Sequence, residues 1–201
     1  YPPASATNQF TVAVDDYLEL FVGGPIVRVG QAGSLPVTVQ STVGSTNVSA
    51  TLHVAQARLT GLQAQSLTPE VVANVTAGST AGEWPLTLRA TAGQVLPAGR
   101  EIAQVNFTAA AGPSAFVPLT LTEVVARQAD GQLVPRTLAS AGRVVVVGQE
   151  PLLDILRAAD DLPVVVLYGE PGAEIRVETS PVLGSQAHWQ EFWRGTMTNL
   201  F

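Results

Sequence analysis

The side chains best suited to bind a ligand are three tryptophans, Trp84, Trp189 and Trp193. The last two lie close together in the sequence, directly after His188. Indole rings at such a spacing can stack on the faces of sugar rings, which indicates a glycan-binding platform. The alternative is that the same rings pack in the core of a small module. The sequence leaves both interpretations open.

Groups that could perform catalysis or hold a metal ion are sparse. The chain has two histidines, no cysteine and no lysine. His53 lacks the nucleophile elbow and the orienting acid that a catalytic triad needs. The acidic pairs Asp15 with Asp16 and Asp160 with Asp161 lack the calcium-loop pattern, so we expect solvated turns there. We therefore predict a protein that is not an enzyme, with no cofactor and no metal site.

The composition excludes two classes of partner. The formal charge of the 201 residues is −6, and the ten arginines are scattered singly, so the clustered positive charge of a nucleic-acid binder is missing. The longest apolar runs are far shorter than a membrane span. Charged residues make up only 13% of the chain, so Ser, Thr, Asn and Gln must cover the outward faces.

Three N-x-S/T sequons are candidate glycosylation sites, at Asn47, Asn74 and Asn106. In a secreted protein such sequons lie on the surface and can carry glycans. A sequence rich in Thr and Asn also contains some sequons by chance, so both interpretations stay open.

The elements that position these residues read as short strands. Runs such as 48–54, 84–91 and 103–108 alternate apolar and polar residues, which is typical of antiparallel sheets with one solvated face. Their regular spacing predicts an all-β chain with an antiparallel, immunoglobulin-like sandwich over 17–148. The alternation slips at Glu123, which predicts a β-bulge there and places Val125 on the apolar face.

The two ends of the chain predict further elements. Residues 1–16 read as an extended arm with a Pro-rich leader and a strand whose apolar face is Phe10, Val12 and Val14. Helical spacing after Pro151 predicts a helical connector over 149–163. Residues 164–201 read as a partial β module with too few strands for a sandwich of its own. An open edge there predicts strand addition from a neighbouring chain, with Phe10, Val12 and Val14 as the assembly strand.

Two segments resemble a known family. PLTLTEVVARQADGQLVPRTLASAGRVVVV (118–147) resembles the closing strands of cohesin-like β-sandwiches, and VTVQSTVGSTNVSATLHV (37–54) resembles their opening strands. Three segments taken together resemble the carboxy-terminal region of very large modular surface proteins of environmental bacteria, with its last β module: SAFVPLTLTEVVARQADGQLVP (114–135), GRVVVVGQEPLLDIL (142–156) and residues 164–201.

The resemblance implies a non-catalytic structural or adhesive protein, located outside the cell or on its surface. We expect it to form a fibre by head-to-tail self-association or to contact neighbouring repeats. The alternative is a carbohydrate-binding module, or a dockerin-recognition module, of a secreted multidomain protein. The cohesin resemblance implies a dockerin partner without assigning the binding face to particular residues.

Overall fold

The structure is a computed structural model that describes residues 15–54, 58–158, 161–182 and 184–201. Within these ranges the chain is all β. The predicted assembly strand with Phe10, Val12 and Val14 lies outside the described residues. The strands are β1 Tyr17–Val22, β2 Ile26–Arg28, β3 Ala32–Ser41, β4 Ser45–Val54, β5 Leu59–Ser66, β6 Val71–Val75, β7 Glu83–Ala90, β8 Arg100–Ala109, β9 Ala115–Gln128, β10 Arg136–Ala141, β11 Arg143–Val147, β12 Leu152–Arg157, β13 Pro163–Tyr168, β14 Glu174–Thr179 and β15 Gln190–Thr196.

Strands β1 to β11 form a sandwich of two sheets. The five-stranded sheet has the order β10-β1-β3-β8-β5, and the six-stranded sheet has the order β2-β11-β9-β4-β7-β6. Alternate residues of both sheets fill one shared core, where Leu20, Leu35, Leu52 and Leu88 are fully buried. This arrangement confirms the predicted sandwich, because period-two patterning buries one face of each sheet against the other.

Two segments of the chain each contribute to both sheets. β1 continues into β2 through Gly23 and Gly24, and β10 continues into β11 through Gly142. The two segments run side by side, since β1 pairs in parallel with β10 and β2 pairs in parallel with β11. At the crossing, a Cβ atom added to Gly24 would lie 1.9 Å from the carbonyl oxygen of Arg143. The crossing therefore requires a residue without a side chain.

The predicted β-bulge at Glu123 is confirmed. Glu123 has a φ of +54°, and the register between β4 and β9 shifts at this point. The residues that turn inward after the bulge are Val124 and Ala126, whereas Val125 is 42% exposed. The assignment of Val125 to the apolar face is therefore wrong, because the bulge moves the inward phase to its neighbours.

The predicted helical connector over 149–163 is wrong, because residues 152–157 of it form strand β12. β12 pairs antiparallel with the Val-rich strand β13, from Leu152 opposite Tyr168 to Arg157 opposite Pro163. An isolated helix of this length is marginal in water, so tertiary partners decide the conformation. Pairing with β13, and burial of Leu152 in a second apolar cluster outside the main core, stabilise a strand here more than the helical spacing of the leucines stabilises a helix.

This second apolar cluster joins the carboxy-terminal strands to the sandwich. Val145 and Val147 of β11 and Tyr168 of β13 are buried in it. The Phe116 and Tyr168 rings meet edge to face with their centroids 5.7 Å apart, and the Arg143 guanidinium lies 4.3 Å from the Phe116 centroid. β11 is consequently buried on both faces, one toward each cluster.

An ion pair reinforces the same junction. The guanidinium of Arg143 donates to the carboxylate of Asp154, whose side chain is only 14% exposed. The hydrogen bond from Arg143 to Asp154 raises the pKa of Arg143 further above its ordinary value. Beyond this junction the carboxy-terminal strands form two separate two-stranded sheets, β12 with β13 and β14 with β15.

Candidate functional site

The outer face of strands β6, β7, β4 and β9 carries short polar side chains in register. We call it the polar face, and it consists of Ser49, Thr51, Asn74, Thr87, Thr120 and Thr122. Ser49 pairs with Thr87, which in turn pairs with Asn74, while Thr51 pairs with Thr122. These side chains are short and uncharged, so a partner can approach the sheet closely without displacing long side chains.

Some of these groups are engaged within the chain and others are free. His53 Nε2 lies 2.7 Å from Thr122 Oγ1, and Thr51 Oγ1 donates to Glu123 Oε2 over 3.0 Å. The bulge supplies the second contact, because it turns Glu123 outward beside β4. The side chains of Ser49 and Thr87 make no hydrogen bond to any described residue. The polar face therefore has donors and acceptors available to a partner.

The outer face of the five-stranded sheet is different. The side-chain amides of Gln104 and Asn106 both donate to Oε1 of Gln65, over 2.9 and 3.1 Å. These amides satisfy one another, so fewer hydrogen-bonding groups remain for a partner there.

Besides Glu123, which lies beside Thr51 near the middle, charged residues lie at the two ends of the polar face. At one end, Asn47 of β4 is the register partner of both Arg89 on β7 and Arg127 on β9. At the other end, His53 of β4 pairs with Glu83 of β7. The face thus runs from a positive end to a negative end, which is a pattern that orients a charged partner.

The three predicted sequon asparagines lie in different environments. Asn74 is exposed on the polar face, and Asn47 is half-buried between two arginines. Asn106 lies on the other sheet and donates its amide to Gln65. Glycosylation of these asparagines stays a prediction.

The structure places the three tryptophans in two separate parts of the chain. Trp84 lies on β7 and packs against the core of the sandwich, whereas Trp189 and Trp193 lie near and within β15. The Trp193 indole lies over Gly195, where an added Cβ would come within 2.4 Å of its ring. Trp193 also lines a cleft of about 360 Å³ together with Phe201. Their role as a glycan platform stays a prediction.

The carboxy-terminal strands expose a large amount of apolar surface. Phe192 is 74% exposed, Ile155 65% and Phe201 63%. Surface of this kind marks interaction sites in soluble proteins. An exposed ion pair lies beside it, in which the Arg194 guanidinium donates to Glu191 and lowers the pKa of that carboxyl.

The described residues include no group of three or more His, Asp or Glu side chains that could hold a metal ion. They also include no helix long and apolar enough to cross a membrane.

The arginine pair around Asn47 was not foreseen from the sequence. The alternation identifies Arg89 as outward-facing, but Arg127 follows the bulge, where the phase of the strand changes. A signal was present in the sequence, since both residues flank turn segments that contain glycine, Gly93 and Gly131. The register that brings them to one asparagine required the fold.

Comparison with solved structures decides the fold. A non-cellulosomal cohesin from the archaeon Archaeoglobus fulgidus superposes with a TM-score of 0.53 at 16% identity, over 66% of this chain and 93% of the cohesin. The fold is cohesin-like. No protein-family model matches the chain, and no curated protein matches it in sequence.

Two further cohesins similar to this chain were solved with dockerins bound. One is the third ScaC cohesin of Acetivibrio cellulolyticus in complex with the ScaB dockerin, with a TM-score of 0.53 at 15% identity over 65% of this chain and 99% of the cohesin. The other is a type I cohesin–dockerin complex from Clostridium thermocellum, with a TM-score of 0.51 at 13% identity over 69% of this chain and 98% of the cohesin. About a third of this chain lies outside each match.

Proposed function

We propose that this chain is a non-catalytic recognition module of a secreted or surface-attached protein, and that its cohesin-like sandwich binds a dockerin-like protein domain through the polar face. The observation that carries the proposal is the adjacent pair Ser49 on β4 and Thr87 on β7, whose hydroxyl groups make no hydrogen bond to any described residue. Related folds bound to dockerins support the class of partner. The other end of the same sheet packs against the carboxy-terminal strands, so the polar face is its accessible part.

The polar face also has the surface properties that a protein partner needs. Ser49 of β4 and Thr87 of β7 are register partners, and Val125, the partner of Ser49 on β9, is 42% exposed. Hydroxyl groups next to an exposed aliphatic side chain permit both hydrogen bonding and apolar contact, as in ordinary protein interfaces. A module that binds in this way needs no catalytic group.

A long side chain placed at the centre of the polar face is expected to weaken recognition. Thr87→Arg replaces a short hydroxyl-bearing side chain with one that prevents the close approach of a partner, and we expect it to weaken binding at least about tenfold, because the centre of a protein interface must be closely packed. The measurement is capture, by the immobilised chain, of a dockerin-bearing protein from the source's secretome, identified by mass spectrometry, with its affinity then measured on the purified partner.

The matched control is Thr108→Arg, which changes an exposed threonine on β8 of the opposite sheet. Like β7, β8 lies directly beside an edge strand of its sheet. We expect Thr108→Arg to bind the partner as the unmodified chain does. Equal binding by both variants, or the absence of any dockerin-bearing protein from the captured set, would overturn the proposal.

A second candidate function is self-assembly, and the exposed apolar surface of the carboxy-terminal strands favours it. Each strand of the two small sheets has a partner on one side only among the described residues. Open edges of this kind accept an added strand. We propose that residues 9–14 of a neighbouring copy supply this strand. Phe10, Val12 and Val14 would then contact the exposed apolar surface of the carboxy-terminal strands, and repetition of the contact yields a head-to-tail fibre.

Changing one face of the donated strand separates this assembly from other kinds of association. Val12→Asp is expected to abolish fibres, because it puts a charge into the apolar contact, whereas Thr11→Asp, on the opposite face of the same strand, is expected to leave them intact. Electron microscopy and light scattering of the two variants, and of a chain lacking residues 1–16, provide the measurement. Fibres that persist without residues 1–16, or a full-length chain that stays monomeric, would contradict strand donation.

A further inference from the structure

The positive end of the polar face is a cleft of about 360 Å³ at the ends of β7, β4 and β9. Two turns bound it, one over residues 91–94 and the other over residues 128–131. Among the described residues, its charged lining consists of Arg89 and Arg127, accompanied by polar groups and by no aromatic ring.

The two arginines converge on one asparagine. Asn47 is the register partner of both, so Arg89 and Arg127 stand on the strands to either side of it, roughly 10 Å apart at their backbones, twice the usual strand spacing. Side chains as long as arginine readily span that separation. The two guanidinium groups and the Asn47 amide can therefore donate to one small group lying between them.

The site is partly preorganised. Nη1 of Arg127 donates to the carbonyl oxygen of Gly131 over 3.1 Å, which holds this guanidinium against the turn and leaves its other N–H groups free. Oγ1 of Thr46 donates to the carbonyl oxygen of Gln128 over 3.1 Å, which ties the start of β4 to the same turn. A fixed guanidinium loses less conformational entropy when it binds a ligand than a mobile one does.

Neither arginine of this cleft forms an ion pair with a described carboxylate. Four other arginines form such pairs, namely Arg143, Arg157, Arg176 and Arg194. The nearest acid in the sequence, Asp130, is outside the lining, and its Oδ1 accepts from the Gln132 N–H over 2.9 Å. In a chain with a net charge of −6, two unpaired arginines facing one cleft indicate an external anion.

We propose that the cleft of Arg89, Asn47 and Arg127 binds a carboxylate side chain of an acidic peptide segment on the partner. This inference deepens the proposed function and rests on it. The planar guanidinium matches a carboxylate through two parallel hydrogen bonds, and a second guanidinium opposite doubles the donors. The lack of an aromatic ring in the lining favours a peptide over an acidic sugar, which binds proteins by stacking as well as by charge.

The direct test uses a synthetic hexapeptide of alternating Glu and Gly and its Gln counterpart as probes, with binding measured by NMR titration at low salt. We expect the Glu peptide to bind at least tenfold more tightly than the Gln peptide and to shift the side-chain Nε–H signals of Arg89 and Arg127. Arg89→Gln and Arg127→Gln should each weaken binding about tenfold. Arg136→Gln removes an exposed arginine of the opposite sheet and should leave binding unchanged.

Several results would overturn the inference. Equal binding of the Glu and Gln peptides would do so, as would an equal effect of Arg136→Gln. Tighter binding of an oligogalacturonate than of the Glu peptide would assign the site to an acidic sugar instead. The capture experiment, repeated with all three variants, distinguishes the two proposals. Loss of capture with Thr87→Arg but not with Arg89→Gln or Arg127→Gln would support recognition through the polar face and contradict the carboxylate site.

Discussion

Gly24→Ala is expected to destabilise the sandwich by about 3 kcal/mol or more, because the new methyl group would overlap the backbone of the neighbouring segment. The overlapped atom is the carbonyl oxygen of Arg143, 1.9 Å from the added Cβ, and a backbone carbonyl cannot move aside as the end of a flexible side chain can. The free energy of unfolding from urea denaturation, followed by circular dichroism, provides the measurement.

Gly148→Ala is the matched control. The nearest atoms to its added Cβ lie at 3.4 Å, which is an ordinary contact. We expect the stability of this variant to stay within about 1 kcal/mol of the unmodified chain. If Gly24→Ala were as stable as Gly148→Ala, the tight crossing of the two segments would be refuted.

Tyr168→Ala is expected to detach the carboxy-terminal strands while the sandwich stays folded. Truncation of a buried aromatic residue costs about 3 to 5 kcal/mol, and here the loss falls on the second apolar cluster. The main core does not include Tyr168, so its packing is unaffected. Limited proteolysis with mass spectrometry should show rapid cleavage after residue 148 and a resistant fragment that contains the sandwich.

Tyr168→Phe serves as the control for this change. It keeps the ring that meets Phe116 edge to face and removes only the hydroxyl group. We expect its cleavage pattern to resemble that of the unmodified chain. If Tyr168→Ala instead unfolded the sandwich as well, the two clusters would form one cooperative unit.

The outward and inward positions of the sandwich could be predicted because alternation is a local property. Val48, Leu52 and Leu88 all lie in the core as their period-two patterns indicate. The bulge at Glu123 was detectable for the same reason, as a break in the alternation. The outward position of Val125 could not be predicted, because which residues point inward after a bulge depends on the backbone conformation of the extra residue.

The failures concern contacts between strands, which a single segment does not reveal. The leucines after Pro151 have helical spacing, and only the partner strand β13 shows that they form a strand. The meeting of Arg89 and Arg127 at Asn47 depends on the register of three strands that are far apart in the sequence. Local propensity carries no information on such register, so the most specific part of the candidate site became visible only in the folded chain.

The side-by-side course of the two sheet-switching segments has a mechanical consequence. A force that pulls Tyr17 and Val147 apart draws the amino-terminal segment along its axis in one direction and the parallel carboxy-terminal segment in the other. The hydrogen bonds of both parallel ladders are then loaded together in shear rather than opened one after another. Rupture requires many bonds to break at once, so the sandwich can bear tension between its two ends while the polar face stays folded.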